Sequence, residues 1–395
     1  MATENNNKTL NVPNLRFPEF SGEWAKFRND SLFNVVSEKN KGKQITSVLS
    51  ASQTDGMVSR DSLGIDIKFE EDSIKNYKIV REGDYVIHLR SFQGGFAFSD
   101  RVGVCSPAYT ILRPTQQISY GFLKPFFMSN KFIDSLRLVT YGIRDGKSIS
   151  VEEWLKLNTN LPSVEEQKKI SIFLSLLDDR IATQIKIIEK LESLIRGLIT
   201  DVNSGRIAQC ESVYLRDLLT ERHEKNTNNY EVCSVSVSQG VINQIDYLGR
   251  SFAAKEVLHY NVVNCGDIVY TKSPTGEFPY GIVKRSDITK PVAVSPLYGV
   301  YRPINDYVGK YLHLYFKSPI NAKNYLHKLI HKGAKNTINI TNQHFLDNKI
   351  LIPEKGWLEN IVNFAAAIEM KIATENKVLQ TLQQQKDYLL SKMFI

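Results

Sequence analysis

Two segments of the chain place apolar residues at alternating steps of four and three positions, the spacing of a helix with one apolar stripe. The first stripe consists of Ile170, Leu174, Leu177, Ile181, Gln184, Ile188, Leu191, Ile195 and Leu198. The second stripe consists of Ile361, Ala365, Ile368, Ile372, Glu375, Leu379, Leu382, Lys386 and Leu389. The pattern predicts two long helices, each with a polar residue at the centre of its stripe.

The two helices belong to a repeat that extends over most of the chain. A shift of 191 positions superposes them without a gap, including Ile181-Ala182-Thr183 on Ile372-Ala373-Thr374. Upstream, a shift of 189 superposes Ser106-Pro107 on Ser295-Pro296, and a shift of 183 superposes Gly83-Asp84 on Gly266-Asp267. Because the matches are collinear, they predict an internal duplication.

The part of each half that precedes its long helix is rich in β-branched and aromatic residues, broken by Gly, Pro, Asn and Asp. The stretches "YKIVREGDYVIHL" and "VVNCGDIVYTKS" predict a strand, a Gly-Asp turn and a second strand. Ser163 can cap the first long helix, and Glu166 stands at capping-box spacing. The predicted fold class is α/β (α+β), with two similar mixed domains at residues 1–162 and 206–355 and helices at 163–205 and 356–395.

The long helices have two possible packing partners. Each could pack only on the core of its own domain, or the two could pack on each other. Because the apolar stripe is long and occurs twice, we favour an antiparallel coiled-coil pair about a pseudo-two-fold axis, with Gln184 opposite Glu375. A helix from Glu165 to Ile199 is roughly 50 Å long, so the pair would act as a spacer between the two domains.

The positive charge of the chain lies outside these helices. The two helical segments hold 10 basic and 11 acidic residues, whereas the remainder holds 40 basic and 31 acidic residues. A polyanion such as DNA suits the basic domains, whereas the helices suit protein contacts. Two domains held by the predicted spacer could contact two short DNA sequences about one helical turn apart.

The sequence resembles the specificity (S, or HsdS) subunits of type I restriction-modification systems along nearly its whole length. The motifs that carry the resemblance are "VPNLRFPEFSGEWAKFRNDSLF" at the start, "SISVEEWLKLNTNLPSVEEQKKISIFLSLLDDRI" at the first junction and "QTLQQQKDYLLSKMFI" at the end. The second junction, "NKILIPEKGWLENIVNF", departs from the family because it lacks Glu-Gln, so docking there is expected to differ.

The resemblance implies a non-catalytic DNA-binding subunit with two target recognition domains. Each domain would read one part of a bipartite double-stranded DNA target. Two methyltransferase (M) subunits would dock on the helices, and motor-nuclease (R) subunits would join the complex. S-adenosylmethionine, ATP and Mg²⁺ are expected on these partners rather than on this chain.

Loops at matching places in the two halves are the candidates for DNA contact. Gly allows a close approach of the backbone, Arg and Lys bind phosphates or guanine, and Asn and Gln can pair with adenine. In the first half the candidates are Arg90, Gln93, Arg101, Arg144, Lys147 and Ser148. In the second half they are Lys272, Lys284, Arg285, Lys332, Lys335, Asn336 and Thr337. An ordinary solvated loop is the alternative interpretation of each.

Other chemistry is weakly indicated. Gly146-Lys147-Ser148 lacks the first glycine of a phosphate-binding loop, since Tyr141 stands there. His327 and His331 have zinc-ligand spacing but no third ligand, and solvated or phosphate-facing histidines explain them better. The four cysteines form no Cys-x-x-Cys pair, and we expect a cytoplasmic protein without a membrane span.

Two other functions remain open. A stand-alone DNA-binding regulator would share the basic domains but would bind its site tightly without partners. A non-catalytic scaffold would pair the helices but would show no sequence preference on DNA.

Overall fold

The computed structural model describes residues 10–42, 44–52, 55–63, 71–88, 95–141, 148–249, 256–332 and 338–395. Contacts between residues divide the chain into two units. Unit 1 comprises Met1–Ile185 and Lys377–Ile395, and unit 2 comprises Lys186–Asn376. Each unit therefore contains one end of both long helices.

Unit 1 combines short strands with helices. The strands are β1 (Ala25–Arg28), β2 (Phe33–Val36), β3 (Leu49–Ser52), β4 (Gly56–Ser59), β5 (Lys78–Val80), β6 (Tyr85–Ile87), β7 (Phe96–Phe98), β8 (Gly103–Cys105), β9 (Thr110–Pro114), β10 (Thr140–Tyr141), β11 (Ser148–Ile149) and β12 (Asn158–Leu161). The α-helices are α1 (Asn29–Leu32), α2 (Leu123–Phe127), α3 (Asn130–Ser135), α4 (Val151–Lys156) and α5 (Val164–Asn203), of which α5 continues into unit 2. Short 3-10 helices span Arg60–Leu63, Glu71–Asn76 and Leu136–Val139.

Unit 2 is likewise built of short strands and helices. Its strands are β13 (Cys210–Tyr214), β14 (Leu219–Glu221), β15 (Cys233–Ser236), β16 (Gly240–Asn243), β17 (Asn261–Val263), β18 (Ile268–Thr271), β19 (Ile282–Arg285), β20 (Val292–Val294), β21 (Gly299–Pro303), β22 (His331–Lys332), β23 (Ile338–Asn339) and β24 (Lys349–Pro353). Its α-helices are α6 (Gln244–Leu248), α7 (Asp306–Phe316), α8 (Pro319–His327), α9 (Asn342–Phe345) and α10 (Lys355–Met393), of which α10 continues into unit 1. A 3-10 helix spans Leu215–Asp217.

The strand pairing repeats between the units. Unit 1 contains a four-stranded antiparallel sheet in the order β2-β9-β6-β7, and unit 2 contains one in the order β14-β21-β18-β19. The two-stranded pairs β1–β12, β3–β4, β5–β8 and β10–β11 correspond to β13–β24, β15–β16, β17–β20 and β22–β23. This shared topology confirms the predicted duplication and the mixed fold class.

The two strands on either side of each Gly-Asp turn do not pair with each other, as they would in a simple hairpin. The predicted strands form on both sides of each turn, but β5 pairs with β8 and β17 pairs with β20, so the turn joins strands of two different sheets. Gly83 and Gly266 have φ values of +89° and +90°, a backbone conformation that favours glycine. The turn is therefore a sheet-to-sheet corner in both units.

The aspartate of each corner is nearly buried and pairs with an arginine. In unit 1, Arg113 donates two hydrogen bonds of 2.9 Å to Asp84. In unit 2, Arg222 donates to Asp267 at 2.7 and 3.1 Å. Arg113 lies on β9 and Arg222 follows β14, so the aspartate keeps its place while its partner comes from a different strand. Each nearly buried carboxylate thus keeps a guanidinium partner.

Large aromatic side chains fill the core of each unit. In unit 1, Trp154 on α4 is 1% exposed and packs against Phe33 and Phe96. Phe345 on α9 stands at the same repeat position in unit 2 and stacks on Tyr270 with ring centroids 4.6 Å apart. The repeat thus preserves a bulky ring at the centre of each core.

The two long helices pack together in an antiparallel way within each unit. In unit 1, Ile170 and Leu174 of α5 share a buried cluster with Leu390 and Met393 of α10. Lys386 of α10 binds Asp178 of α5 at 2.6 Å, which holds its ammonium group at the edge of the helix pair. The prediction that the helices pack on each other is confirmed, and in this unit they also pack on the domain core.

Unit 2 is built in the same way from the other ends of the helices. Its buried cluster contains Ile195 and Ile199 of α5 together with Ile361 and Ala365 of α10. Gln184 of unit 1 is 8% exposed and Glu375 of unit 2 is half-buried. That these two residues lie opposite each other stays a prediction, as do the domain boundaries at 162, 205 and 355.

Candidate DNA interface and subunit-docking surface

A short strand pair holds the ends of one candidate DNA loop in each unit. In unit 1, β10 and β11 pair through Thr140 with Ile149 and through Tyr141 with Ser148. In unit 2, β22 and β23 pair through His331 with Asn339 and through Lys332 with Ile338. The candidates Arg144, Lys147, Lys335, Asn336 and Thr337 lie between these strands, outside the described residues. The loops therefore start from equivalent places in the two units.

A second candidate loop joins the neighbouring strands β6 and β7 in unit 1. The His88 amide donates to the Gly95 carbonyl at 2.9 Å and closes the base of this loop. Arg90 and Gln93 lie on the loop, outside the described residues. Arg101, the remaining candidate of this unit, is about half exposed and binds Asp100 at 2.7 Å.

The corresponding loop of unit 2 joins β18 to β19. It returns to the sheet at Gly281, whose φ is +102° and where an added Cβ atom would lie 1.9 Å from the Thr271 carbonyl oxygen. Only glycine fits this position without a backbone shift. Lys272, at the start of the loop, is half-buried, and desolvation lowers its pKa, partly offset by Glu221.

Two DNA-contact candidates of unit 2 have side chains that are less exposed than expected for residues on a surface loop. Arg285 is 11% exposed in its side chain and binds Asp306 at 2.6 Å as well as Asp287. Lys284 is only 4% exposed. Contact with DNA stays a prediction for all of the candidate residues, but Arg285 already has two carboxylate partners in the folded chain.

Glu166 and Gln167, in the junction motif at the start of α5, bind residues of their own unit. Arg16 donates to both carboxylate oxygens of Glu166, at 2.8 and 2.6 Å, and Glu166 is 1% exposed. Gln167 donates to the Gln117 and Pro162 carbonyls and accepts from the Ser119 amide. These contacts fix where α5 leaves the domain.

Glu166 also differs from a simple capping box. Its backbone amide donates the capping hydrogen bond to the Ser163 hydroxyl oxygen at 3.2 Å, as predicted, but its carboxylate binds Arg16. The sequence analysis associated Glu166-Gln167 with the docking of partner subunits. In the structure, Glu166 instead binds Arg16 of the opening motif within the same unit. In unit 2, Trp357 and Leu358 occupy the corresponding positions, and Leu358 is buried in the core.

An apolar groove lies between α5 and α10 in unit 1. It has a volume of about 660 Å³ and is lined by Phe173, Leu176, Leu177, Arg180, Thr381, Gln384, Gln385, Tyr388 and Leu389. Leu176 and Tyr388 are 63% and 59% exposed, so apolar surface on this groove faces outward. We call this surface the helix groove.

Unit 2 exposes an aromatic residue at the same repeat position. Phe364 of α10 corresponds to Phe173 of α5 under the shift of 191 and is 52% exposed. Trp357, about two turns before it, is 48% exposed. Both residues lie off the apolar stripes, so periodicity did not mark them as functional; for Phe173 and Phe364, their match under the shift of 191 is the signal that could have found them.

Within the described parts of the chain, no group of three or more His, Cys, Asp and Glu side chains could hold a metal ion. None of the helices in those parts is both long and apolar enough to cross a membrane. His327 packs its ring near that of Tyr280, with centroids 5.8 Å apart.

Residues 21–193 match the family model described as "Type I restriction modification DNA specificity domain". This segment covers the globular part of unit 1 and most of α5. No curated protein sequence matches the chain.

Two solved structures share the fold of nearly the whole chain. One is described as a type I restriction-modification S subunit from M. genitalium, with 13% identity and a TM-score of 0.56 over 97% of this chain and 99% of that chain. The other is described as "Structural basis underlying complex assembly and conformational transition of the type I R-M system", with 13% identity and a TM-score of 0.55 over 94% and 97%.

These findings identify a DNA specificity domain of the type I restriction-modification class in residues 21–193. The family that the sequence motifs indicated is thus found in residues 21–193, and nearly the whole chain shares the fold of the S subunit from M. genitalium.

Proposed function

We propose that this subunit reads a bipartite double-stranded DNA target, with one half recognised by each unit. The observation that carries the proposal is the repeated topology. The family match identifies the domain of unit 1 as a DNA specificity domain, and unit 2 has the same sheet order and the same strand pair at the base of its loop. Two copies of one recognition fold suit two half-sites.

The candidate loops of each unit would contact one half-site. Basic side chains bind phosphates in any sequence, whereas amide and guanidinium groups can pair with base edges. Arg144 and Lys147 in one unit and Lys335 and Asn336 in the other stand between equivalent strand pairs, so they are proposed to occupy equivalent places on DNA.

An exchange of residues 206–355 for the corresponding segment of another specificity subunit tests this function. With the methyltransferase and motor subunits present, mapping of methylated adenines should show one half of the target replaced and the other half retained. An exchange of the first domain in the same background is the matched control and should change the other half. A retained target, or the loss of both halves in a correctly assembled complex, would contradict the proposal.

We further propose that methyltransferase subunits dock at the exposed aromatic positions of the two helices. Apolar surface exposed in a groove is typical of protein contacts, and aromatic residues often dominate their binding energy. The helix groove would hold one copy around Phe173, and the surface around Phe364 would hold a second. The partners would supply S-adenosylmethionine for methylation and, on the motor subunit, ATP and Mg²⁺.

Two charge-introducing variants distinguish these docking surfaces. Phe173→Glu and Phe364→Glu should each remove one of two bound methyltransferase copies, measured by native mass spectrometry, because a carboxylate would be buried without a partner. Leu297→Glu is the control, since Leu297 is 73% exposed on another surface of unit 2. Full occupancy in both Phe variants would refute the docking surfaces while leaving the DNA-reading proposal intact.

A further inference from the structure

Unit 2 contains a cavity that is lined in part by Lys284, one of the less exposed DNA-contact candidates. It has a volume of about 400 Å³ and lies between the tip of the β15–β16 hairpin, the edge strand β19, the α7–α8 corner and α5. Its apolar walls are formed by Ile195, Ile199, Val237, Phe278, Leu314 and Pro319. This volume and mostly apolar lining are typical of sites for small molecules.

Lys284 of β19 contributes an ammonium group to this cavity. Its side chain is 4% exposed and makes no hydrogen bond or ion pair with any described residue. Burial, together with the nearby Lys317 ammonium, lowers the pKa of Lys284 to about 8. Because a buried charge without a partner is costly, this position favours an anionic ligand.

The fold itself requires neither the lysine nor the cavity. In unit 2, Lys284 pairs with Val269 of β18, and in unit 1 the equivalent pair is Ala97 with Val86. The space beside Ala97 in unit 1, which Phe127, Met128 and Lys124 also line, measures only about 10 Å³. Met128 stands where unit 2 has Lys317, by the repeat shift of 189. Unit 1 is thus nearly closed at this place and has alanine at the strand position where unit 2 has Lys284.

The other charged residues of the cavity restrict the charge of the ligand. Lys317 binds Glu369 at 3.2 Å, and Arg196 lies 3.8 Å from Glu192. Glu192 and Glu277 also line the cavity, so a dianion such as phosphate would meet repulsion from two carboxylates. A single negative charge on an apolar body satisfies both the lysine and the walls.

We propose that this cavity is a binding site for a small monocarboxylate with an apolar body, whose carboxylate pairs with Lys284. The apolar body packs on α5 and Phe278, and the ammonium group of Lys284 supplies the charge recognition. This assignment rests neither on the proposed DNA target nor on the docking surfaces, because the residues that line the cavity carry it.

Titration calorimetry on the full chain tests the site with hexanoate, its neutral analogue hexanamide and inorganic phosphate. Hexanoate should bind at least about tenfold more tightly than hexanamide, which has the same body without the charge, and phosphate should not compete. Lys284→Met keeps the length of the side chain and removes the charge, so it should weaken hexanoate binding by about tenfold or more.

Lys323→Met is the matched control, because Lys323 is exposed on α8 away from the cavity, and hexanoate affinity should be unchanged. Thermal shift measurements identify any variant that does not fold, and Lys284→Ala serves as a second test if the methionine variant fails. Equal affinity of hexanoate and hexanamide, equal affinity in the wild type and the Lys284 variants, or no hexanoate binding up to about 10 mM would overturn the proposal.

Discussion

Replacement of Lys284 by methionine should make the stability of unit 2 respond differently to pH. The folded chain buries this ammonium group and lowers its pKa from 10.5 to about 8. The unfolded chain exposes it to water, where its pKa returns to the ordinary value. Between these two pKa values, Lys284 is therefore protonated to a greater extent in the unfolded chain than in the folded chain.

The sign of the effect follows from this difference. At about pH 7 both states are protonated, and the lowered pKa corresponds to a destabilisation of about 3 kcal/mol. As the pH rises past about 8, the folded chain releases the proton while the unfolded chain still holds it, so the penalty decreases. At about pH 9.5 the penalty should be near 1 kcal/mol.

Wild type should thus gain about 2 kcal/mol of stability relative to Lys284→Met between about pH 7 and about pH 9.5. The absolute difference between the two proteins includes packing of the methionine, but that part is the same at both pH values. Hydrogen exchange of peptides from β18 and β19 in urea measures the local free energy of unfolding in unit 2, with both proteins compared at each pH.

Lys323→Met provides the comparison for an exposed lysine, and its difference from wild type should be the same at both pH values. A pH-independent difference for Lys284→Met would refute the reasoning, because it would mean that Lys284 titrates alike in the folded and unfolded chains. A difference that grows in the opposite direction would indicate an ammonium group stabilised by a partner.

Three further changes test other parts of the structure. Glu166→Gln leaves Arg16 without its carboxylate and should destabilise unit 1 by about 3 kcal/mol, measured by hydrogen exchange, whereas Glu153→Gln in an exposed ion pair should cost below about 1 kcal/mol. Gly281→Ala should disrupt the β18–β19 connection through its backbone clash, whereas Gly276→Ala, with open space at its Cβ, should cost only about 1 kcal/mol; equal losses in a urea titration would contradict this. Insertion of four residues at the middle of both α5 and α10 should lengthen each by about 6 Å and widen the gap between methylated half-sites by about two base pairs; an unchanged gap in active variants would exclude the helices as its determinant.

Features that depend on periodicity or on the repeat were predictable from the sequence. The apolar stripes gave the positions of α5 and α10, and the collinear matches led to two domains of one topology. Strand pairing was harder, because the Gly-Asp turn looks like a local connection. In the fold, β5 and β17 pair with strands that come later in the chain, and short-range patterns carry no information about such partners.

The environment of individual basic residues was less predictable. Lys284 and Arg285 follow one another in "IVKRSD", a stretch whose charges suggest an exposed end of a strand. Their burial results from α7 and the β15–β16 hairpin, which pack over β19 from distant parts of the sequence. Likewise, the partner of Asp267 could not be taken from the repeat, since the counterpart of Arg113 is Arg302 but the bond is made by Arg222.

The two junctions show how a duplicated chain can become asymmetric without loss of its fold. At the first junction, the Glu166 carboxylate and the Gln167 amide hold α5 by polar bonds inside unit 1. At the second, Leu358 takes the position of Gln167 and anchors α10 by apolar burial, which leaves Trp357 at the surface. Both solutions fix the start of the helix, so the departure from the family motif changes which side chains face outward rather than how the helix is held. Any difference in partner binding between the two ends should therefore arise from Trp357 and its neighbours on α10.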